Sequence, residues 1–419
     1  MKEKAAPVTF RQVLRNKQFF ALWLAQYISN FGDWLALLAL FSLVAFRLRG
    51  TPYQVGGIFL AYGIPWAFLG PVAGVLVDRW NLKWTMISSD LIRAVLAVML
   101  ALVHDLSLLY LLFFGLSAVS CFFMPAQTSA IPVLVGKDEL LVANAANTQS
   151  IHFNKIISPA IAGFLVAWAG EKVCFYLDGL SFVISAGLLS TLLLNRVPKD
   201  SVKGIRALLG DMREGFYFIW NQPSIRFVTV AMAVTLLAAG AFDALIAVYV
   251  RDILHSESQV FGALVALVGF GTIIGALLIG RFAQKWSRAV LVSVGIIGCG
   301  IGIFLLAVAA TAPTALVSSL ALGFAVSAVM IPSQTLVQEV TPQAILGRVS
   351  STGISLMTIS QIVGVSISEK VANWTGVRNL YGLIAGFLVV MGAAGYLHLR
   401  AGGMSDPFDQ FESLFQKEV

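Results

Sequence analysis

Charge is what this chain has least of. Only 12% of its 419 residues are Asp, Glu, Lys or Arg, against about 25% in a soluble globular domain. With 58% hydrophobic residues and a mean hydropathy of +0.86, that deficit excludes a chain folded around one water-solvated core. The three cysteines, Cys121, Cys174 and Cys299, lie in apolar runs without metal-ligand spacing. They read as small hydrophobes, not as disulfides or ligands. Four scattered histidines, His104, His152, His255 and His398, and the lack of any Gly-x-Ser-x-Gly, His-x-x-Glu-His or paired-aspartate constellation argue against an enzyme. A phosphate-cradling G-x-x-x-x-G-K-[ST] loop is also missing, so ATP is not the direct energy source. No apolar segment with a small-residue cleavage site follows the polar, basic first 18 residues, so a cleaved signal peptide is not expected there.

What the chain has in abundance is apolar runs long enough to cross a bilayer. Twelve spans are expected, centred in 19–46, 54–77, 84–104, 107–131, 143–168, 173–195, 225–250, 260–282, 288–310, 314–337, 351–374 and 379–399. An even number puts both ends on one side. If that side is cytoplasmic, its loops and tails hold twenty Lys and Arg and the opposite side six, as the positive-inside rule requires. The expected localisation is the inner (plasma) membrane, multi-pass, with both termini cytoplasmic. The net charge of +7 then reflects basic loops beside an anionic leaflet, not nucleic acid.

Between Arg196 and Gln222 the sequence turns polar, with Ile205, Leu208, Leu209, Met212, Phe216 and Ile219 near helical spacing. An amphipathic interfacial helix is expected there, linking two bundles. The expected organisation is residues 1–195 as a first six-helix bundle, 196–222 as linker, 223–400 as a second bundle and 401–419 as a cytoplasmic tail. The halves repeat. "MPAQT" at 124–128 matches "IPSQT" at 331–335, Gly74 and Trp80 pair with Gly280 and Trp286, and "AWAG" at 167–170 answers "NWTG" at 373–376. Asp33 answers Asp243. Duplicated six-helix halves are a transporter architecture with substrate at the midplane.

Across nearly its whole length the chain resembles the major facilitator superfamily. "GVLVDRWNLK" at 74–83 is similar to that family's G-x-L-a-D-r-x-G-r-k signature, with Gly74, Asp78, Arg79 and Lys83 matching and Asn81 standing for the second glycine. The resemblance implies that Asp78 and Arg79 latch the cytoplasmic face. "SPAIAG" at 158–163 resembles an antiporter motif through Ser158, Pro159 and Gly163. With "QEVTPQAILGRVSSTG", which includes Arg348, these stretches resemble the macrolide-efflux and siderophore-exporter branch. The fold implied is all-α: twelve transmembrane helices in two pseudo-symmetric six-helix bundles.

Acids and cations deep in such spans need a reason. Asp33 lies about 14 residues, roughly 21 Å, into the first span, where a carboxylate costs about 2.5–3.5 kcal/mol. Gln26, Asn30 and Asp33 share one helix face, so that face should meet water. Asp33 is the expected proton-coupling or substrate-binding residue. Lys155, with His152 one turn before it in the fifth span, is its expected partner. Asp243 is a second candidate for titration. Asp90 and Arg93, at i and i+3, are expected to pair locally near the latch. Asp178 reads as an interfacial residue at the outer end of the sixth span. Gln127 and Gln334, in the repeated Pro-x-Gln-Thr segments, are gating or binding candidates. Tyr27 and Tyr62 are candidates for a cavity lining. The expected function is export of a bulky, largely apolar, macrolide-like compound by a monomeric proton antiporter with alternating access, using no bound cofactor or metal. The alternative is export of a siderophore or other anionic metabolite, and an intramembrane lipid-modifying enzyme is a remote third.

Overall fold

The computed structural model describes residues 10–77, 79–194, 205–282, 287–342 and 345–400, and every regular element among them is helical. In the first half these are α1 (Phe10–Arg15), α2 (Lys17–Ser42, continued by a π-helical turn at Leu43–Arg47), α3 (Pro52–Phe68), α4 (Gly70–Val77), α5 (Leu82–Leu102), α6 (Leu106–Leu134), α7 (Leu140–Ala169) and α8 (Glu171–Ser190). Then come α9 (Ile205–Asn221), α10 (Pro223–Asp252), α11 (Ser258–Phe282), α12 (Arg288–Val308), α13 (Ala312–Val340), α14 (Leu346–Thr375) and α15 (Val377–Arg400).

Ten described helices are long and apolar enough to cross a membrane. The remaining two crossings depart from a plain apolar helix for visible reasons. Pro65, Gly70 and Pro71 interrupt one at Leu69, dividing it into α3 and α4. The other, α7, has an apolar stretch at Ile157–Ala169, while Asn144, Asn147, Gln149 and Asn154 make its first half polar. Twelve transmembrane helices result, in two sets of six.

The six helices of the second half start at 223, 258, 288, 312, 346 and 377. Their counterparts start at 17, 52, 82, 106, 140 and 171. Every pair differs by 206 residues. The repeated "AWAG" and "NWTG" end α7 and α14 at Gly170 (φ +81°, ψ 168°) and Gly376 (φ +82°, ψ 156°). Those torsions belong to a region that is essentially glycine-only, which is why a glycine ends both segments. Each glycine N–H closes its helix at 2.9 Å, onto Val166 and Ala372, and the next helix starts at the following residue.

The chain forms two compact units, Met1–Leu48 with Leu60–Ile205, and Arg49–Phe59 with Arg206–Val419. In the first, α2 packs on α7 and α8, and α5 packs on α6 and α8. Phe19 and Leu22 on α2, Met86 on α5, Phe123 on α6, Ala146 on α7 and Leu189 on α8 share one buried apolar cluster. Helix starts are set by side chains. Asn16 accepts from Gln18 and Phe19 N–H at 3.0 and 3.3 Å and donates to the Leu134 carbonyl at 2.7 Å. Asn81, at the position of the missing signature glycine, caps α5 by accepting from Trp84 N–H at 3.2 Å.

In the second unit α12 packs on α13 and α15, α11 on α13, and α10 on α14. The last pair approaches closely because each helix offers a glycine. Gly240 abuts the Gln361 carbonyl and Gly364 the Leu237 carbonyl, the small-residue packing favoured between membrane helices. The linker helix α9 docks here. Arg348 Nη1 donates to Glu214 Oε2 at 2.5 Å, and Ile219 clusters with Ile225 and Val349. Phe216, Tyr217 and Trp220 remain exposed on α9.

Candidate functional site

The first unit holds a charge cluster where three inner helices meet. Asp33 and Gly32 come from α2, Asp90 and Arg93 from α5, and Asp178, Ser181, Phe182 and Ser185 from α8. Arg93 is its hub. Its guanidinium hydrogen-bonds Asp90, lies 3.6 Å from Asp33 Oδ2, and donates to Ser120 Oγ at 3.4 Å. The rings of Phe123 and Phe182 lie against it, with centroids at 4.5 and 4.2 Å. A weakly hydrated, delocalised cation suits such an aromatic, water-poor seat. Exposure is graded. The Asp33 side chain is 30% exposed, Arg93 3% and Asp90 0%. Asp33 is thus the open member of a set whose other charges are sealed.

Helix geometry separates the polar face read from the sequence into two sides. Three residues turn an α-helix by about 300°, so Asn30 and Asp33 point roughly 60° apart. Asn30 Oδ1 accepts from Asn154 on α7 at 3.2 Å, while Asn154 also donates to the Tyr27 carbonyl at 2.9 Å. Asp33 turns instead toward α5 and its Arg93. The sequence pairs Asp33 with Lys155, but among the described side chains its ion-pair partner is Arg93. His152 and Lys155 lie on α7, and their side chains are outside the described set. Gln26 is buried, its Oε1 without a hydrogen-bond partner among the described residues.

Asp178 departs from its reading as an interfacial residue: it is fully buried. The signal missed is periodicity. Asp178, Ser181 and Ser185 recur at helical spacing, a polar face that the apolar average of the segment conceals. In the second unit, Gln361 Nε2 donates to Asp243 Oδ2 at 3.4 Å. A further buried acid, Glu369 on α14, packs against Gly56, and its Oε1 has no partner among the described residues.

The gating candidates fall in several places. Asp78 lies outside the described residues, and Arg79 is exposed. Gly74 is half-buried with open space where a Cβ would go. Lys83 Nζ donates to the carbonyls of Ser190 and Leu192 at 2.6 and 2.8 Å, satisfying the end of α8. Ser158, Pro159 and Gly163 are buried in α7. Gln127 is buried and donates to Asn147 Oδ1 at 3.2 Å, whereas Gln334 is exposed. The repeated motif sits 207 residues apart but the helices 206. That single-residue slip turns Gln334 about 100° away from the face of Gln127, and buried Ser333 takes the equivalent place.

The 206-residue correspondence also supplies an internal comparison. Asp33, Asp90, Arg93 and Asp178 correspond to Ala239, Ile296, Cys299 and Ile384, so the helix register matches Asp33 with Ala239 and not with Asp243, which the repeat suggests and which lies four residues further on. The second half builds the same helices with no charge at any of the four positions.

The family model for a transmembrane secretion effector matches residues 9–412. The chain belongs to that family, within the major facilitator superfamily. The transporter is 28% identical to the uncharacterised MFS-type transporter YfiS of Bacillus subtilis, over 91% of this chain and 93% of that one. It is 24% identical to macrolide efflux protein A of Streptococcus pyogenes (89% and 93% covered) and 26% identical to the enterobactin exporter EntS of Escherichia coli (85% of each). Among solved structures, a bacterial homologue of the human lysosomal transporter Spinster matches with a TM-score of 0.71 at 16% identity, over 92% of this chain and 97% of that one. That likeness is one of fold.

Proposed function

We propose that this transporter is a secondary active exporter that moves a bulky, largely apolar, macrolide-like compound out of the cell in exchange for protons by alternating access. Its place is the inner (plasma) membrane, with both termini cytoplasmic, in keeping with the distribution of basic residues. The observation that carries the reading is the ion-paired set of Asp33, Asp90 and Arg93 at positions where the second half uses Ala239, Ile296 and Cys299. Packing does not require charge there, and charges inside membrane helices mark ion or substrate pathways. Asp33, partly exposed, exchanges the proton, and Arg93 senses whether Asp33 is charged. A proton crossing with the membrane potential supplies about 2.3 kcal/mol per 100 mV, enough for roughly fifty-fold accumulation against a gradient. The proton gradient serves in place of a bound cofactor, and the working unit is a monomer. Asp78 and Arg79 form the cytoplasmic latch, and Lys83 anchors that face to the end of α8. The cargo is supported by macrolide efflux protein A among the relatives.

The test is gradient-driven uptake of a macrolide into vesicles holding the purified protein. The wild type should respond to an imposed pH gradient. Asp33→Asn should lose at least tenfold of that response while downhill movement persists. Undiminished gradient-driven uptake in Asp33→Asn would sink the reading. A second reading, export of an anionic metabolite such as a siderophore, is favoured by the guanidinium of Arg93 and by EntS among the relatives. It predicts uptake of an anionic probe that a macrolide does not compete away.

A further inference from the structure

We propose that Asp178 is a second proton-binding carboxyl, a sealed inner site that exchanges its proton with Asp33 under the control of Arg93. The inference rests on the proton-antiport reading for its purpose, but its geometry stands independently. Asp178 is 0% exposed, and among the described residues neither of its carboxyl oxygens has a hydrogen-bond partner. The nearby Ser181 hydroxyl donates to the Asp178 backbone carbonyl at 2.7 Å. The carboxyl points at α2, where a Cβ added to Gly32, the residue before Asp33, would meet Asp178 Oδ1 at 2.6 Å. Glycine is therefore what leaves room for the acid.

The surrounding charges define the chemistry. From α2, Asp33 faces Asp178; from α5, Asp90 and Arg93 do. Cys174 lies one turn before it on α8, and Tyr62 is on α3. His152 and Lys155 lie on α7, which packs on α8; their side chains are outside the described residues. Among the described side chains there are three carboxylates for one guanidinium. Arg93 is already engaged with Asp90 and Asp33, so an ionised Asp178 would be an uncompensated charge in a dry site. A bound proton removes that penalty. When Asp33 takes up a proton from water, Arg93 loses one of its two anionic partners. The guanidinium then stabilises an ionised Asp178, to which Asp33 passes the proton it took up, regaining its own charge; the reverse transfer returns the Asp178 proton to water through the partly exposed Asp33. Each step moves one proton between a carboxylate and a hydronium or second carboxylate, and no bond to carbon changes.

The experiment is acid-minus-base infrared difference spectroscopy of the full chain in lipid vesicles, reading the carbonyl stretch of protonated carboxyls. The wild type should show a band that Asp178→Asn removes. Asp178→Ile, which resembles the second half's Ile384, should remove it too and keeps the test alive should the Asn variant fold poorly. In Asp33→Asn the Asp178 band at neutral pH should weaken about threefold, because the neighbouring anion is gone and Arg93 is released. Identical spectra for wild type and both Asp178 variants would overturn the inference. So would a carboxyl that stays ionised at every pH, as it would if Lys155 neutralised it, or a band governed by sodium and not by pH. If gradient-driven transport fails but the band assignments hold, the antiport reading falls and the proton site stands.

Discussion

Arg93 is the single side chain on which the cluster depends. It is nearly sealed from solvent, hydrogen-bonded to one carboxylate, near a second and packed against two aromatic rings. Removing it leaves buried acids without a cation, which costs about 3–5 kcal/mol when one partner of a buried pair is deleted. Arg93→Cys, the residue found at the matching second-half position, should therefore lower the thermal unfolding midpoint markedly in lipid or detergent. A midpoint unchanged from wild type would show that the pair is screened by water. Some of this was legible in the sequence. The i, i+3 spacing of Asp90 and Arg93 announced their pairing, and the depth of Asp33 marked it as costly. Reading Arg93 as a partner of Asp33 required knowing how α2 is rotated, which a sequence does not supply; the expected Lys155 partner has its side chain outside the described residues. What the sequence did not show of Asp178 is its direction: the side chain turns inward, against Gly32 of α2.

At the scale of the element, the linker helix α9 shows how a weak and a strong contact divide the labour. The Arg348–Glu214 pair is partly exposed, 33% and 50%, and a surface pair of that kind contributes at most about 1 kcal/mol. Ile219, buried against Ile225 and Val349, supplies the apolar contact. Arg348→Ala should leave α9 almost as resistant to limited proteolysis as wild type, whereas Ile219→Asp should release it, with cleavage inside 205–221. Equal cleavage of the two variants would refute that division. The amphipathic spacing of Phe216 and Ile219 foretold the helix but not where it docks, since spacing defines a face and not the surface that covers it. Likewise the Pro-x-Gln-Thr repeat was plain to read, yet its one-residue offset from the helix register was not. That offset carries Gln334 to the exposed side.

At the scale of the whole molecule, duplication makes the chain its own control. Twelve crossings were readable because apolar length is what a bilayer demands, and all twelve expected spans correspond to described helices or helix pairs. What remained hidden was which half differs. Only after the helices are matched at 206 residues does it emerge that charges in one half stand opposite Ala239, Ile296, Cys299 and Ile384 in the other. Replacing all four together, as Asp33→Ala, Asp90→Ile, Arg93→Cys and Asp178→Ile, should restore a midpoint close to wild type, since no charge is left stranded. Gradient-driven uptake should be abolished in the same protein. A quadruple variant less stable than Arg93→Cys alone would mean that the charges hold the fold.

Gly170 has a mechanical corollary. It joins α7 to α8 as α7's last turn closes, with no slack of loop between them. A tilt of one rod must be transmitted to the other through the torsions of one residue, like a crank on a short pin. α8 bears Asp178, so leverage applied anywhere along α7 arrives directly at the sealed acid. Lengthening that joint by a few flexible residues should leave both rods intact and uncouple their strokes.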